Sequence, residues 1–514
     1  MTSRVALPSA GPERRLAVID MGSNTFRLVV FRYRPGGGFR LVDELRDTVR
    51  LSAGADAEGI RPEAVARAAH TAHLYAAFCD AEHIDEVDVV TTSAARDAAN
   101  RDVVLDALTA EGRLPVRVLS ETEEARFGYL GAVNSTTLTD GWVLDLGGGS
   151  LQATEVRGRA MGRALSRPLG AVRMTEAFLG ARRPRRSEMR ALVDHVRADL
   201  RAVGWVEELG AHVVGIGGTV RTLARMAQKA GDYELDELHG YRLTREALAE
   251  RIDQMAATDA DGRRSIPGLK ADRADITLAG AVVIATALDL AGADAVEICS
   301  HGLREGVFYD RLLADREDRL IEDVRAHTVL NLMDAYRADV EHHRQVARLA
   351  LAVHEQLRGL GLVPAWSGDR DILWAAAMLH DLGVAVDYND HHRHGFYLVQ
   401  NSGLPGYSHE EIALIALLVR GHRKAPPSAG PLEGVAGRRA DQRLADLGVC
   451  LRMAEQLAQS RSVRGVTLSD DGTTVTATVE DAGDPTVAVW SAAREEPAML
   501  RATGRKLRVV GAEH

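Results

Sequence analysis

One device recurs in this chain and limits what it can fold into: a short apolar strand that ends in aspartate and turns through a small-residue loop. The first copy runs from residues 16–20 into Met21–Thr25 (MGSNT) and returns as LVVFRY (28–33). The second is WVLD followed by LGGGS (142–150), returning as LQATEV (151–156). A third loop, VVGIGGT (213–219), leads into an amphipathic segment containing Leu223 and Met226. Between the copies, Pro62 sits where a helix begins, with Val65, Ala68, Ala72, Tyr75 and Cys79 near one face, and VDVV (87–90) and VRVL (116–119) read as strands. A strand–loop–strand unit used twice amid helical segments predicts two similar α/β domains facing one another.

Glycine after a buried strand allows backbone N–H groups to converge, and converging amides hold phosphate oxygens without cationic side chains. An aspartate at the strand end stands where a cation bridging those oxygens would sit. The loops therefore point to phosphate binding. No Walker A pattern is present and GIGGT lacks dinucleotide-fold spacing, so those two nucleotide-binding mechanisms have no support.

Beyond residue 317 the pattern changes to long helical stretches such as 346–360 and 371–383, interrupted by the Pro/Gly-rich run 425–437. Residues 465–481 alternate around an Asp-Gly turn and read as a hairpin. The domain parse is 14–134 and 135–312 for the α/β pair, 317–462 helical, and 463–514 a small α+β tail. Residues 276–292 are apolar but interrupted by Asp289, which reads as a buried helix rather than a membrane span. Cys79, Cys299 and Cys450 are scattered and odd in number, and the N-terminus lacks an apolar leader, so the expected compartment is the cytoplasm. The net charge of −10 argues against nucleic-acid and membrane-surface partners. Only four of the 63 cationic residues are lysine, a bias read as one of coding.

IDMGSNTFRLVVF (19–31), TTSAARDAAN (91–100), SETEEARFGYLGAV (120–133), VLDLGGGSLQATEV (143–156), GIGGTVRTLA (215–224) and GLREGVFYD (302–310) occur in that order. Together they resemble the exopolyphosphatase and guanosine pentaphosphate phosphohydrolase family. The likeness continues through AAMLHDLG (376–383), residues 392–411 and LVRGHRK (418–424). It implies two actin-like (ribonuclease H-like) α/β domains, an all-α HD-like domain, and release of terminal phosphate from polyphosphate or guanosine pentaphosphate. It also implies Mg²⁺ or Mn²⁺ as cofactor and a homodimer.

Within the acidic run, Ser120 and Glu123 form an S-x-x-E capping box and Glu121 suits the helix dipole, which leaves Glu124 without a structural task. The resemblance makes Glu124 the general base, Asp145 and Asp20 the metal-associated aspartates, and Arg96 a phosphate-proximal arginine. It makes Ser23, Asn24, Thr25, Gly147, Gly148, Gly149, Ser150, Gly217, Gly218 and Thr219 the phosphate contacts. The family's second loop commonly reads GGGS-x-E; here Gln152 replaces the carboxylate, which weakens a hard-cation site.

In the helical region His343, His380-Asp381 and His422 have the order of an HD-domain metal site, but the closing aspartate is missing, with Glu455 or Ala458 near its place. The expected role is substrate binding or dimerisation. The cluster His391, His392, Arg393, His394 and the run RRPRR (182–186) read as solvated loops. Two rival readings remain: a non-catalytic polyphosphate- or alarmone-binding regulator, and an actin-like sugar kinase.

Overall fold

The computed structural model describes residues 11–204, 212–424 and 426–512. The reading of the N-terminus as leaderless lies largely outside them. The chain forms two compact units. One spans 11–232 and 238–324; the other comprises 325–512 together with 233–237.

The first unit contains two sheets of matching topology. Strands β1 (Arg14–Met21), β2 (Phe26–Tyr33), β3 (Phe39–Asp47), β4 (Glu86–Thr91) and β5 (Val116–Val118) lie in the order β3-β2-β1-β4-β5. The second sheet has β6 (Gly141–Leu146), β7 (Leu151–Arg157), β8 (Ala160–Arg167), β9 (Val213–Ile216), β10 (Arg242–Thr244) and β11 (Ala295–Ile298), in the order β10-β11-β9-β6-β7-β8. In each, an antiparallel three-strand meander leads into parallel neighbours, β1 with β4 and β6 with β9. The twice-used loops are the turns β1–β2 and β6–β7, so the predicted duplication is the architecture, and the α/β class holds.

Helix Pro62–Ala81 buries Val65, Ala68, Ala72, Tyr75 and Cys79 as its spacing predicts. It covers the outer face of the first sheet; helix Thr277–Ala291, the apolar stretch, is buried against the second. Between the sheets lies a core shared by Val18, Phe31, Val143, Val214, Phe127, Leu130 and Phe308. Its centre is a pair of helices, Glu121–Val133 after β5 and Leu303–Leu312 after β11. They cross so closely that a Cβ on Gly306 would lie 1.8 Å from the Phe127 carbonyl oxygen, and one on Gly131 would lie 2.3 Å from the Gly302 carbonyl oxygen. Phe31 stacks on Phe308 at 4.0 Å beside this crossing.

The second unit is helical, with a three-stranded sheet, β12 (Val463–Asp470), β13 (Thr474–Asp481) and β14 (Lys506–Gly511). The predicted hairpin is β12–β13, and β14 adds parallel to β13. Gln356 on helix Val340–Gly359 donates to the Val466 carbonyl and accepts from the Leu468 amide, fastening the sheet to the bundle. The three cysteines are free and buried. Among the described residues no helix is long and apolar enough to cross a membrane.

Helix propensity alone would make Gly306→Ala stabilising by about 1 kcal/mol. The backbone contact should reverse that sign, with urea unfolding showing a loss of about 2–3 kcal/mol. A gain would mean that the two helices can separate freely.

Candidate active site

The site is assembled where the two sheets present the ends of their first strands. Asp20, on β1, pairs across to Arg27 on β2 and Val90 on β4. Asp145, on β6, pairs with Gln152 on β7 and Ile216 on β9. Glu124 enters from the first turn of helix Glu121–Val133, whose start is fixed by the predicted capping box: the Ser120 hydroxyl accepts from the Glu123 amide, and the Glu123 carboxylate accepts from the Ser120 amide at 2.9 Å. Arg96 ends the short helix Ser93–Arg96 and donates through Nη1 to Glu124 Oε2 and to the Leu119 carbonyl, both at 3.0 Å.

The three carboxylates share one electrostatic environment. Burial raises Glu124, Arg96 and the Gln152 amide oppose it, and Asp20 adds to it. Burial, then the charges of Glu124 and Asp20, push Asp145 up to about 7, against the opposing pull of Arg221. Burial also raises Asp20, with Arg304 and Arg27 opposing. Oxygen ligands crowded to this degree suit a hard divalent cation, so Asp20 and Asp145 fit Mg²⁺ or Mn²⁺ in donor chemistry. Gln152, 4% exposed, contributes an amide facing Glu124 instead of a third anionic ligand.

The loops converge on this point. Ser93 Oγ lies 3.4 Å from Ser23 Oγ and would lie 3.6 Å from a Cβ on Gly149, so one serine touches both loops. Asn24 and Thr25 complete the first loop, and the buried Thr25 Oγ1 makes no hydrogen bond. In the second loop the carbonyls of Gly147, Gly148 and Gly149 accept amides from Gly170–Arg173, and the Gly147 amide donates to Ser150. The N–H groups of Gly148, Gly149 and Ser150 are not among these donors and are the backbone groups suited to an anion. Gly170 makes this possible, because a Cβ there would lie 2.3 Å from the Gly148 carbonyl oxygen. In the third loop Gly217 has φ +98° and abuts Asp145 Oδ1, where a Cβ would sit 2.9 Å away. Gly218 opens the helix Gly218–Ala230 beneath the Arg273 guanidinium, and Thr219 is 2% exposed against Gly280.

Sequence reasoning missed the cations. Arg27, Arg46, Arg221, Lys270, Arg273 and Arg304 form one cationic group, and burial together with charges of this group lowers four of them, Arg27, Arg221, Lys270 and Arg273. Arg27 falls to about 10, first through burial and then through Arg304 and Arg221. Arg221, Arg273 and Lys270 are lowered first by burial and then by members of the same group. Acidic residues answer part of this charge: Glu44 lies 3.4 Å from Arg27 and 3.7 Å from Arg304, Asp272 lies 2.8 Å from Arg46, and against the effect of burial the charges of Glu305, Asp20 and Glu44 keep Arg304 above its ordinary value. Three of these arginines stand inside motifs that carried the resemblance (Arg27, Arg221 and Arg304), and that position was the available signal. The run 182–186, in contrast, is turned to Glu188 through Arg182.

The predicted HD-type residues lie in the other unit, and their grouping differs from expectation. His380 and Asp381 gather with His342 and Glu455, and Asp381 also gathers with His391 and His422. His343 is not in either group; its Nδ1 is 2.7 Å from the Met378 carbonyl oxygen. Glu455, not Ala458, occupies the closing position, 2.9 Å from His380. His391 and His392 are buried in the first turn of helix His391–Asn401, which corrects the reading of 391–394 as a solvated loop.

The elevated Asp145 has a consequence for stability. Its proton affinity in the fold lies above its ordinary value of 3.8, so the folded state retains a proton that the unfolded chain releases. Stability conferred by that proton is complete below the ordinary value and is lost as pH rises towards about 7. Thermal unfolding in chelator should show the wild type losing Tm between about pH 4 and pH 7, and Asp145→Asn losing less. Equal losses would place the titration on another group.

Comparison with known proteins agrees with this fold. The Vibrio vulnificus (strain YJ016) guanosine-5′-triphosphate,3′-diphosphate pyrophosphatase is 27% identical over 483 residues, 92% of this chain and 93% of that protein. A solved structure of the Aquifex aeolicus PPX-GPPA enzyme is 26% identical, covering 58% of this chain and 99% of that one, with a TM-score of 0.50. An exopolyphosphatase from Cytophaga hutchinsonii shares the fold at 24% identity and a TM-score of 0.54, over 58% of this chain and 98% of its own. The family model for the Ppx/GppA phosphatases matches residues 29–315 and that for their domain III matches 324–482, so the chain belongs to the Ppx/GppA phosphatase family of hydrolases.

Proposed function

We propose that the chain releases terminal orthophosphate from inorganic polyphosphate, and from guanosine pentaphosphate, at the site formed by Asp20, Glu124 and Asp145. The observation that carries this reading is the pairing of a buried, proton-attracting carboxylate with a cationic arc. Glu124 is held by Arg96 and its proton affinity is raised by burial, which suits it to take a proton from water better than a surface carboxylate would. The arc of Arg27, Arg46, Arg221, Lys270, Arg273 and Arg304 is suited to the multiple charges of a phosphate chain.

The terminal phosphoryl group rests on the free amides of Gly148, Gly149 and Ser150 and on the first-loop residues Ser23, Asn24 and Thr25. Glu124 orients a water and accepts its proton as the water oxygen bonds to the terminal phosphorus. The bond from that phosphorus to the bridging oxygen breaks, and the shortened chain leaves with the bridging oxygen. A divalent cation held by Asp20 and Asp145, when bound, supplies charge neutralisation for the transferring group. The Gln152 amide, buried beside Glu124, offers a neutral donor to a substrate oxygen where the family's second loop commonly carries a carboxylate.

Gln152 is also the observation that favours the second reading, a regulator that binds but does not cleave. Phosphate release with Mg²⁺ from long polyphosphate, short polyphosphate and guanosine pentaphosphate separates the two. Turnover of at least one substrate is expected, and binding without release of any would establish the regulator. Glu124→Gln should lower kcat by about 10²–10⁴-fold while binding persists. Arg221→Ala should raise KM with a smaller effect on kcat, and should flatten the salt dependence of KM.

A further inference from the structure

The helical unit contains a convergence of side chains that the phosphatase site does not use. His380, His391 and His422 each place Nδ1 within hydrogen-bond distance of the carbonyl three residues earlier: Ala377 at 2.8 Å, Tyr388 at 2.8 Å and Val419 at 2.6 Å. With Nδ1–H committed to a carbonyl, the remaining nitrogen, Nε2, presents a lone pair. All three Nε2 atoms point inward. Those of His391 and His422 face one another at 3.1 Å, and Asp381 Oδ1 lies 3.0 Å from the first and 3.4 Å from the second.

Two lone pairs and a carboxylate oxygen directed at one point repel each other unless a positive charge stands between them. Their spacing is that of neighbouring ligands on one cation: bonds of about 2.1 Å at 90–109° separate donor atoms by about 3.0–3.4 Å. On the other side of Asp381, Oδ2 is 3.7 Å from His380 Nε2, which is 2.9 Å from Glu455 Oε2, and His342 Nε2 is 3.5 Å from that same oxygen. The His380 side chain is fully buried, and His380 Nε2, Asp381 Oδ1 and Glu455 Oε2 are buried without a directed hydrogen bond. Such groups are costly to bury unless a ligand completes them.

We propose that this cluster is a two-cation centre bridged by Asp381, with His342, His380 and Glu455 on one ion and His391 and His422 on the other. Four imidazoles with two carboxylates favour a divalent transition metal of the Mn²⁺, Fe²⁺, Co²⁺ or Zn²⁺ class over Mg²⁺. Asp381, His342 and Glu455 retain 26%, 19% and 13% side-chain exposure, so the centre is reachable from solvent. The proposal is independent of the hydrolytic assignment, which lies in the other unit and rests on oxygen ligands.

The test is metal content. The full-length chain is stripped with chelator, reloaded with Co²⁺, desalted and assayed by mass spectrometry, with the visible spectrum recorded for imidazole-ligated cobalt. The wild type should retain two equivalents assignable to this cluster: His391→Ala/His422→Ala should lose one, and His342→Ala/Glu455→Ala the other. Circular dichroism checks folding, and the partly exposed His342→Gln serves if a pair fails to fold, with weakened retention of one equivalent expected. Cobalt content that none of these substitutions changes would overturn the proposal and leave a proton shared between His391 and His422. A single equivalent lost by both pairs would overturn the two-ion form.

Discussion

Everything in the α/β unit depends on how closely two helices can cross. The Phe127 and Gly302 carbonyls each press into a space where an ordinary residue would carry Cβ, and glycine stands at both points. That contact fixes the distance between the sheets, because each helix emerges from the last parallel strand of its own sheet and packs on the shared core. The first turn of one helix carries Glu124 and that of the other carries Arg304. The crossing therefore sets how near the carboxylate comes to Asp20 and Asp145, and how near the guanidinium comes to Arg27 and Arg221.

The duplicated strand–loop–strand unit was legible because it rests on local rules: apolar runs of strand length, glycine where the chain turns, and a capping box at Ser120. Glu124 could be singled out because its neighbours had structural tasks and it had none. The cationic arc could not be read this way. Its members come from β2, β3, two helix starts and the turn before Thr277–Ala291, and only the tertiary fold brings them together. Gly170 was invisible for the same reason, since it serves a loop more than twenty residues earlier in the chain.

The histidines show the limit at finer grain. His342 and His343 are adjacent in the first turn of Val340–Gly359, where neighbouring positions differ by about 100° around the axis. Spacing places a histidine near the His-Asp pair but does not decide which of the two turns towards it. Packing decides: His343 is drawn to the Met378 carbonyl, and His342 is left beside Glu455. His391 was misread because a run of consecutive polar residues looks solvated, whereas two of them sit on the buried side of a helix start. The overall negative charge was equally misleading at short range, because acidic residues can dominate the surface while arginines fill one recess.

The two crossing helices begin alike. Ser120 and Gly302 each donate a backbone N–H to a glutamate three residues on, Glu123 and Glu305. One position further, the copies part: the first has Glu124, the second Gly306. The residue that carries the proposed catalytic carboxylate in one half thus corresponds to the residue whose missing side chain admits the partner helix in the other. At this helical position the internal symmetry is broken, one half holding a carboxylate and the other a clearance. Restoring the symmetry in either direction would remove the proposed base or drive the helices apart, so the duplicated halves are no longer interchangeable.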